Sequence, residues 1–397
     1  MSGFLKRTWA QVDLGALRHN YEEIRKRVRP EAKIMAVVKA DCYGHGVEYC
    51  AKTLDRCGAE WFAVSNIEEA RQLRSCGITK PVLILGYTPP ECAVQLAGEG
   101  ISQAVFSEEY AEKLSRVAEE AGVTVNIHLK VDTGMGRLGL LYYNGGQDME
   151  AVHAAVRICG MKGLQAEGVF THFASADESG GEDFTRLQFR RFTEIADKLA
   201  QAGINGLIRH CCNSAGSFRF PEMNLDMVRP GIILYGLDPS DEMKGYLNLR
   251  PVMSLKSVIS HLKEIGPGMT VSYGRTFTAA EPMRVATVPI GYADGYNRLL
   301  SGRAEMLING RRVKVIGRVC MDQLMLNVTG IPDISAGREV TVFGTEGEET
   351  VSVDELAALC GTINYETVCL IGKRVPRIYF ENGREVGQMN LLVSTEE

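Results

Sequence analysis

The run KIMAVVK (33–39) is apolar almost to its end, finishes on Lys39, and is followed by Ala40-Asp41-Cys42-Tyr43-Gly44-His45-Gly46. A lysine that ends a buried strand is costly as a cation, so it either titrates low or is consumed in an imine. If the strand stops one residue earlier, Lys39 is simply solvated. Tyr43 offers a hydroxyl and the two glycines permit close backbone approach, which favours the chemical reading.

Other apolar runs also end on groups that could do chemistry. One delivers Lys130-Val131-Asp132-Thr133-Gly134-Met135-Gly136-Arg137, two cations around a glycine turn. That suits an anion, or is only a charged loop. Another ends at Thr171-His172-Phe173, where the histidine either packs in the core or lies against a flat ligand. His210-Cys211-Cys212-Asn213-Ser214 places Ser214 at the opening of a loop or helix suited to phosphate. Arg229-Pro230-Gly231-Ile232 puts an arginine in a buried run, where it keeps its proton and needs an internal acceptor. An imine-forming lysine, phosphate ligands and a buried arginine together point to pyridoxal phosphate.

These groups need a common scaffold. Up to about residue 240 the chain alternates amphipathic segments with eight apolar runs: 33–39, 61–65, 82–86, 103–106, 125–131, 167–173, 207–212 and 227–236. Continuous apolarity suits strands buried on both faces of a parallel sheet. Eight such runs separated by helices predict a (β/α)8 barrel, whose catalytic groups sit at the C-terminal ends of the strands. Ser65-x-x-Glu68 reads as a capping box for a helix closed by Gly77. SEEYAEKLSRVAEEAG reads as a helix with Tyr110, Leu114, Val117 and Ala121 on one face, ended by Gly122. After Pro239 the pattern turns β-rich. Asn309-Gly310 marks a type I′ hairpin, and VDELAALCG is expected as the one short helix. The expected domains are a barrel over 14–240 and a mainly β domain over 241–397, with the terminal STEE frayed.

A 397-residue chain exceeds the usual single domain, and 23% charged residues with a net charge of -5 argue against nucleic acid as partner. MSGFLKRTWAQVDL has no apolar run of signal-peptide length, and no stretch is long enough to span a membrane, so a cytoplasmic protein is expected. The 11 cysteines include no CxxC pair and the seven histidines no HxxxH or HxH spacing, so no metal site is expected.

AVVKADCYGHG, KVDTGMGRLG, THFASAD, NSAG, RPGIILYG, VSYG, GYADGY, CMDQ and KRVPR, in that order along nearly the whole chain, resemble the alanine racemase family. The resemblance implies a homodimer in which the partner's β domain closes each barrel mouth, with residues 1–13 joining that domain. It implies a small amino acid as substrate, alanine first, and D-alanine for cell-wall peptidoglycan as product. It further implies that Lys39 carries pyridoxal 5′-phosphate and serves as one base, with Tyr273 of VSYG as the opposite one. Tyr43, Ser214 and the backbone of Gly231 and Ile232 would hold the phosphate. Arg229 would face the pyridine nitrogen with His210 behind it, and His172 would lie near the ring. Arg137 would meet the cofactor's phenolic oxygen and the substrate carboxylate, helped by the backbone at Met321. The family often carbamylates its equivalent of Lys130, turning a cation into an anion that braces Arg137. One departure is Lys373 in IGKRVPR, where a phosphate-reaching tyrosine is expected; its loss opens the pocket to serine.

Racemisation returns a proton to the face opposite the one it left, so it needs a base on each side. An arginine at the pyridine nitrogen, with a pKa above about 12, does not release its proton to the ring, which disfavours transamination. The alternatives are a serine or broad-specificity racemase and a decarboxylase of the same two-domain plan. A non-catalytic cofactor carrier built on the barrel alone would have no use for Tyr273.

Overall fold

The structure is a computed structural model that describes residues 5–392. The terminal STEE therefore lies outside the described residues. Two compact units make up the chain: Ala16–Cys42 with Val47–Arg250, and Met1–Gly15 with Tyr43–Gly46 and Pro251–Glu397.

The first unit is a parallel barrel. Its strands are Lys33–Val37, Trp61–Val64, Val82–Ile84, Ile101–Val105, Val125–Asp132, Leu164–Phe170, Ile208–His210 and Met227–Val228. The first seven pair in sequence order, and the eighth pairs with the first but not with the seventh. The gap between the seventh and eighth is bridged by Asp226 N–H to Arg209 O (3.2 Å) and Arg229 N–H to Cys212 O (3.0 Å). Each of the eight apolar runs supplies one strand, buried because helices cover the outside and side chains fill the inside.

Local signals were met with shifts of a residue or so. The helix after the second strand, Ile67–Ser75, is capped by Asn66, whose side chain accepts from Glu69 N–H, and not by Ser65. Glu69 takes the part expected of Glu68: its carboxylate accepts from Ser65 N–H. Helix Glu108–Glu120 is capped by Ser107 and buries Tyr110, Ala111, Leu114 and Ala118, whereas Ala121 is exposed. Ala121 is exposed because it is the C-cap, one residue past the helix's end at Glu120.

In the second unit one long, mostly antiparallel sheet runs through His261–Ile265, Met283–Val288, Leu324–Asn327, Arg311–Ile316, Glu305–Ile308, Glu339–Glu346 and Met253–Val258. It continues through the N-terminal strand Thr8–Asp13 to Arg377–Glu381 and Arg384–Met389. Thr8–Asp13 pairs antiparallel with Met253–Val258 and parallel with Arg377–Glu381, so the chain's first strand is a central one here. Asn309 and Gly310 both take positive φ (54° and 68°) between strands paired at Ile308 and Arg311, as a type I′ turn requires. Two short helices interrupt the sheet, Val353–Cys360 and Asn364–Cys369; the second was not expected.

Candidate active site

Lys39 stands two residues past the end of the first barrel strand at Val37. Val38 N–H still donates to Ala63 O (2.9 Å), and Lys39 itself is half-buried. Beyond it the backbone turns left-handed for four consecutive non-glycine residues, Ala40, Asp41, Cys42 and Tyr43, with φ between 52° and 55°. L-residues disfavour this region by about 1–2 kcal/mol each, so the surroundings must enforce it. Glu69 accepts from Ala40 N–H (2.7 Å), Asp41 accepts from Val47 N–H (2.7 Å), and Cys42 N–H donates to Val38 O (3.0 Å). The lysine is thereby held between a strand and a strained, clamped turn.

Across the barrel the fifth strand carries Lys130 and Asp132. Asp132 accepts from the N–H groups of Gly134, Met135, Gly136 and Arg137 at 2.9–3.1 Å, shaping the glycine turn that presents the exposed Arg137. Despite burial, these donors hold its carboxyl below the usual range. Lys130 is 5% exposed, donates to Val131 O (3.0 Å) and sits 5.2 Å from the centre of the Phe170 ring. Burial, then the cation of Arg229, pushes its amine down to about 7.

Arg229 follows the eighth strand, buried. Its Nη1 donates to His210 Nδ1 (2.9 Å), and its Nη2 to Thr171 O (2.8 Å) and Cys211 O (3.1 Å). Burial lowers its pKa to about 10, which leaves it charged at neutral pH. Nη2 also reaches His172 Nδ1 at 3.4 Å, while Nε makes no hydrogen bond among the described residues. Burial and then the charges of Arg229, Lys130, Arg137 and Lys39 drive His172 well below 6.5. Arg229, Arg137 and Lys39 thus bring positive charge to bear on one neutral ring, an arrangement that suits an anionic ligand. Ser214 starts the short helix after the seventh strand, and its Oγ accepts from Gly231 N–H (2.9 Å), the residue before the buried Ile232.

Five residues of interest fall in the other unit. Tyr43 is buried, its ring 6.2 Å from that of Tyr365. Tyr365 lies on the unexpected helix Asn364–Cys369, whereas Lys373 is exposed. An aromatic ring thus stands beside Tyr43 at position 365, with none at 373. The tyrosine of NYE, eight residues before Lys373, was the available signal. Tyr273 is 69% exposed in a strained loop: Ser272 has φ 68° and ψ -178°, a region almost confined to glycine. Ser272 Oγ donates to Arg318 O (2.6 Å), and the Arg318 guanidinium lies against Gly274, 3.2 Å from where a Cβ would stand. Met321 is also exposed (52%). Its carbonyl accepts from Ala293 N–H (3.0 Å), and its own N–H donates to nothing among the described residues.

Known proteins match nearly the whole of the chain that carries this clamped lysine and histidine-locked arginine. The family model for the alanine racemase N-terminal domain matches residues 12–239, and that for the alanine racemase C-terminal domain matches 252–379. The chain belongs to the alanine racemase family. It is 46% identical over 372 residues to the alanine racemase of Desulforamulus reducens, covering 94% of this chain and 98% of the relative. Identity to that of Methanococcus maripaludis is 44% over 372 residues, with the same coverage. Among solved structures, alanine racemase from Clostridium difficile 630 superposes with a TM-score of 0.92 at 41% identity, covering 98% of this chain and 99% of the other. Bacillus anthracis alanine racemase with bound L-Ala-P gives 0.92 at 36% identity, with 98% and 99% covered. The protein is an amino-acid racemase. Among the described residues no helix is long and apolar enough to cross a membrane.

Proposed function

We propose that the chain interconverts L- and D-alanine, with pyridoxal 5′-phosphate held in the barrel, Lys39 as the base on one face and Tyr273 as the base on the other. The observation that carries this reading is Arg229, a donor-only group locked by His210, Thr171 and Cys211 with Nε left uncommitted. A pyridine nitrogen is an acceptor, so it fits that donor. When bound, the cofactor supplies an electron sink that acidifies the α-C–H of the amino acid joined to it. Arg229 keeps its own proton and so leaves the pyridine nitrogen unprotonated. Ser214, the backbone of Gly231 and Ile232, and Tyr43 would hold the phosphate, with Tyr365 beside Tyr43. Arg137 and the free Met321 N–H would hold the substrate carboxylate, and His172 would flank the ring as a neutral imidazole.

The Lys39 amine then takes or returns the α-proton from its side, and the Tyr273 hydroxyl does so from the opposite side. A phenol serves as a base when positive charge stabilises its anion, and Arg318 brings such charge to the Tyr273 loop. An exposed catalytic phenol is open to water in the single chain. That supports a homodimer in which a second copy completes each site. D-alanine for cell-wall peptidoglycan is the proposed product, made in the cytoplasm.

Tyr365 beside Tyr43 favours alanine over serine, because the pocket has not lost its ring. Chiral chromatography of the common amino acids after incubation with protein and cofactor tests all of this. D-alanine from L-alanine, abolished by Lys39→Ala, is expected. Equal turnover of serine would make this a broad racemase, and release of CO2 a decarboxylase.

A further inference from the structure

Behind Arg229 the barrel interior contains a string of polar groups that the reaction as described does not use. Strand Leu164–Phe170 shifts register against Val125–Asp132: Ile127 lies opposite Ala166, but His128 lies opposite Gly168. Glu167 is the extra residue, so the strand carries a β-bulge there. Bulges re-aim a side chain, and this one brings Glu167 to the end of the string. Gly168 makes the room for it. A Cβ at that position would stand 2.4 Å from His128 Nδ1 and 2.5 Å from Cε1, so the fully buried imidazole occupies the space a side chain would need.

The contacts have only one consistent proton arrangement. A guanidinium donates and never accepts, so His210 Nδ1, 2.9 Å from Arg229 Nη1, must present a lone pair. Neutral His210 then carries its hydrogen on Nε2, which faces His128 Nδ1 at 2.9 Å and donates to it. His128 in turn must carry its hydrogen on Nε2, 3.5 Å from Glu167 Oε2. Ser102 Oγ donates to the same carboxylate oxygen at 2.7 Å. Burial lowers the pKa of both rings below the ordinary value; for His210 the charge of Arg229 adds to this, while for His128 Glu167 partly opposes it. The distance of 3.5 Å makes the last link one of charge to dipole. A carboxylate facing that edge of His128 favours an N–H there, and an amide would not discriminate.

We propose that Glu167 and His128 are positioning residues that set the tautomer of His210 from behind, so that Arg229 always meets a lone pair and never an N–H. This rests on the proposed placement of Arg229 at the pyridine nitrogen only for its effect on cofactor; the tautomers themselves do not depend on it.

Nitrogen-15 solid-state NMR of protein labelled only at histidine, at pH 8 with and without pyridoxal phosphate, reads the tautomers directly. His128→Asn assigns the two rings. In the wild type both are expected as pure Nε2–H neutral imidazoles, before and after the cofactor is added. Glu167→Gln should give mixed tautomers at both rings, a cofactor dissociation constant raised about tenfold and kcat lowered about tenfold with little change in KM. Glu167→Asp keeps the charge and should retain mainly the wild-type tautomers. Wild-type tautomers in Glu167→Gln overturn the proposal, as does equal disturbance by Gln and Asp, which would mean packing and not charge. If Glu167→Gln does not fold, a wild-type His210 found as Nδ1–H or doubly protonated still refutes it. A wild type that shows the expected tautomers but binds no pyridoxal phosphate would instead sink the cofactor reading.

Discussion

Lys130 is a lysine without the surroundings a lysine ordinarily has. It is almost wholly buried, its nearest hydrogen-bond acceptor is the carbonyl of Val131, and Arg229 and Arg137 repel its charge while Asp132 offsets only part of that. With the amine at about 7 in place of its ordinary 10.5, roughly nine-tenths of it is uncharged at pH 8, against about 0.3% for a solvated lysine, a gain of some 300-fold in free nucleophile. A small electrophile can exploit that. Carbon dioxide adding at the neutral Nζ forms an N–C bond as one C=O π bond opens, one proton leaves, and the neutral amine becomes a carbamate anion able to brace Arg137. The folded pKa lies below the unfolded one, so between about pH 7 and 10.5 the unfolded chain holds a proton the folded one has released. Stability of the unmodified protein therefore rises with pH across that window. Carbon-13 NMR under a fixed pressure of labelled CO2 should show one carbamate per chain at pH 8, absent in Lys130→Ala and largely lost by pH 6. A spectrum with no Lys130-dependent signal at pH 8, or uptake equal at pH 6 and pH 8, would refute the reasoning.

Other perturbations follow from the same geometry. Gly44→Ala places a Cβ 2.2 Å from Val368 O at φ 79° and should cost about 2–5 kcal/mol by urea denaturation. Asp132→Ala strands four N–H groups of the Arg137 turn, with an expected loss of about 2–4 kcal/mol and a raised KM for alanine. Because folding depresses the Asp132 carboxyl, its contribution is full above the unfolded value near 4 and fades as pH falls through the folded one; an acid titration of Tm for wild type and variant checks this. Mixing Lys39→Ala with Tyr273→Phe chains should restore about a quarter of the sites, since half of randomly mixed dimers are heterodimers and one of their two sites is intact.

The barrel was legible because strands buried on both faces read as unbroken apolar runs, and each of the eight runs holds a strand. The seventh and eighth are shorter than their runs, three and two residues, because the chain leaves the sheet where Ser214 and Gly231 come together. Lys39, Lys130, His172 and Arg229 could be found for the same reason, as polar groups ending apolar runs. The left-handed turn after Lys39 left no trace, since Ala40 and Cys42 are not residues that favour it and Glu69 enforces it from another segment. Tyr365 was passed over because six residues, NYETVC, are too few to show helical periodicity. The string from Arg229 to Glu167 depends on a one-residue register shift, which no pattern of apolar residues encodes.

The central claim, two bases on opposite faces of one carbon, is tested most directly by α-proton exchange in deuterium oxide with Tyr273→Phe protein and cofactor. Proton NMR of L- and D-alanine followed separately should show exchange persisting with one enantiomer and falling at least a hundredfold with the other, because general-base catalysis contributes about 10²–10⁴-fold. Exchange reduced equally for both enantiomers, or unchanged for both, would contradict a Tyr273 that serves one face while Lys39 serves the other.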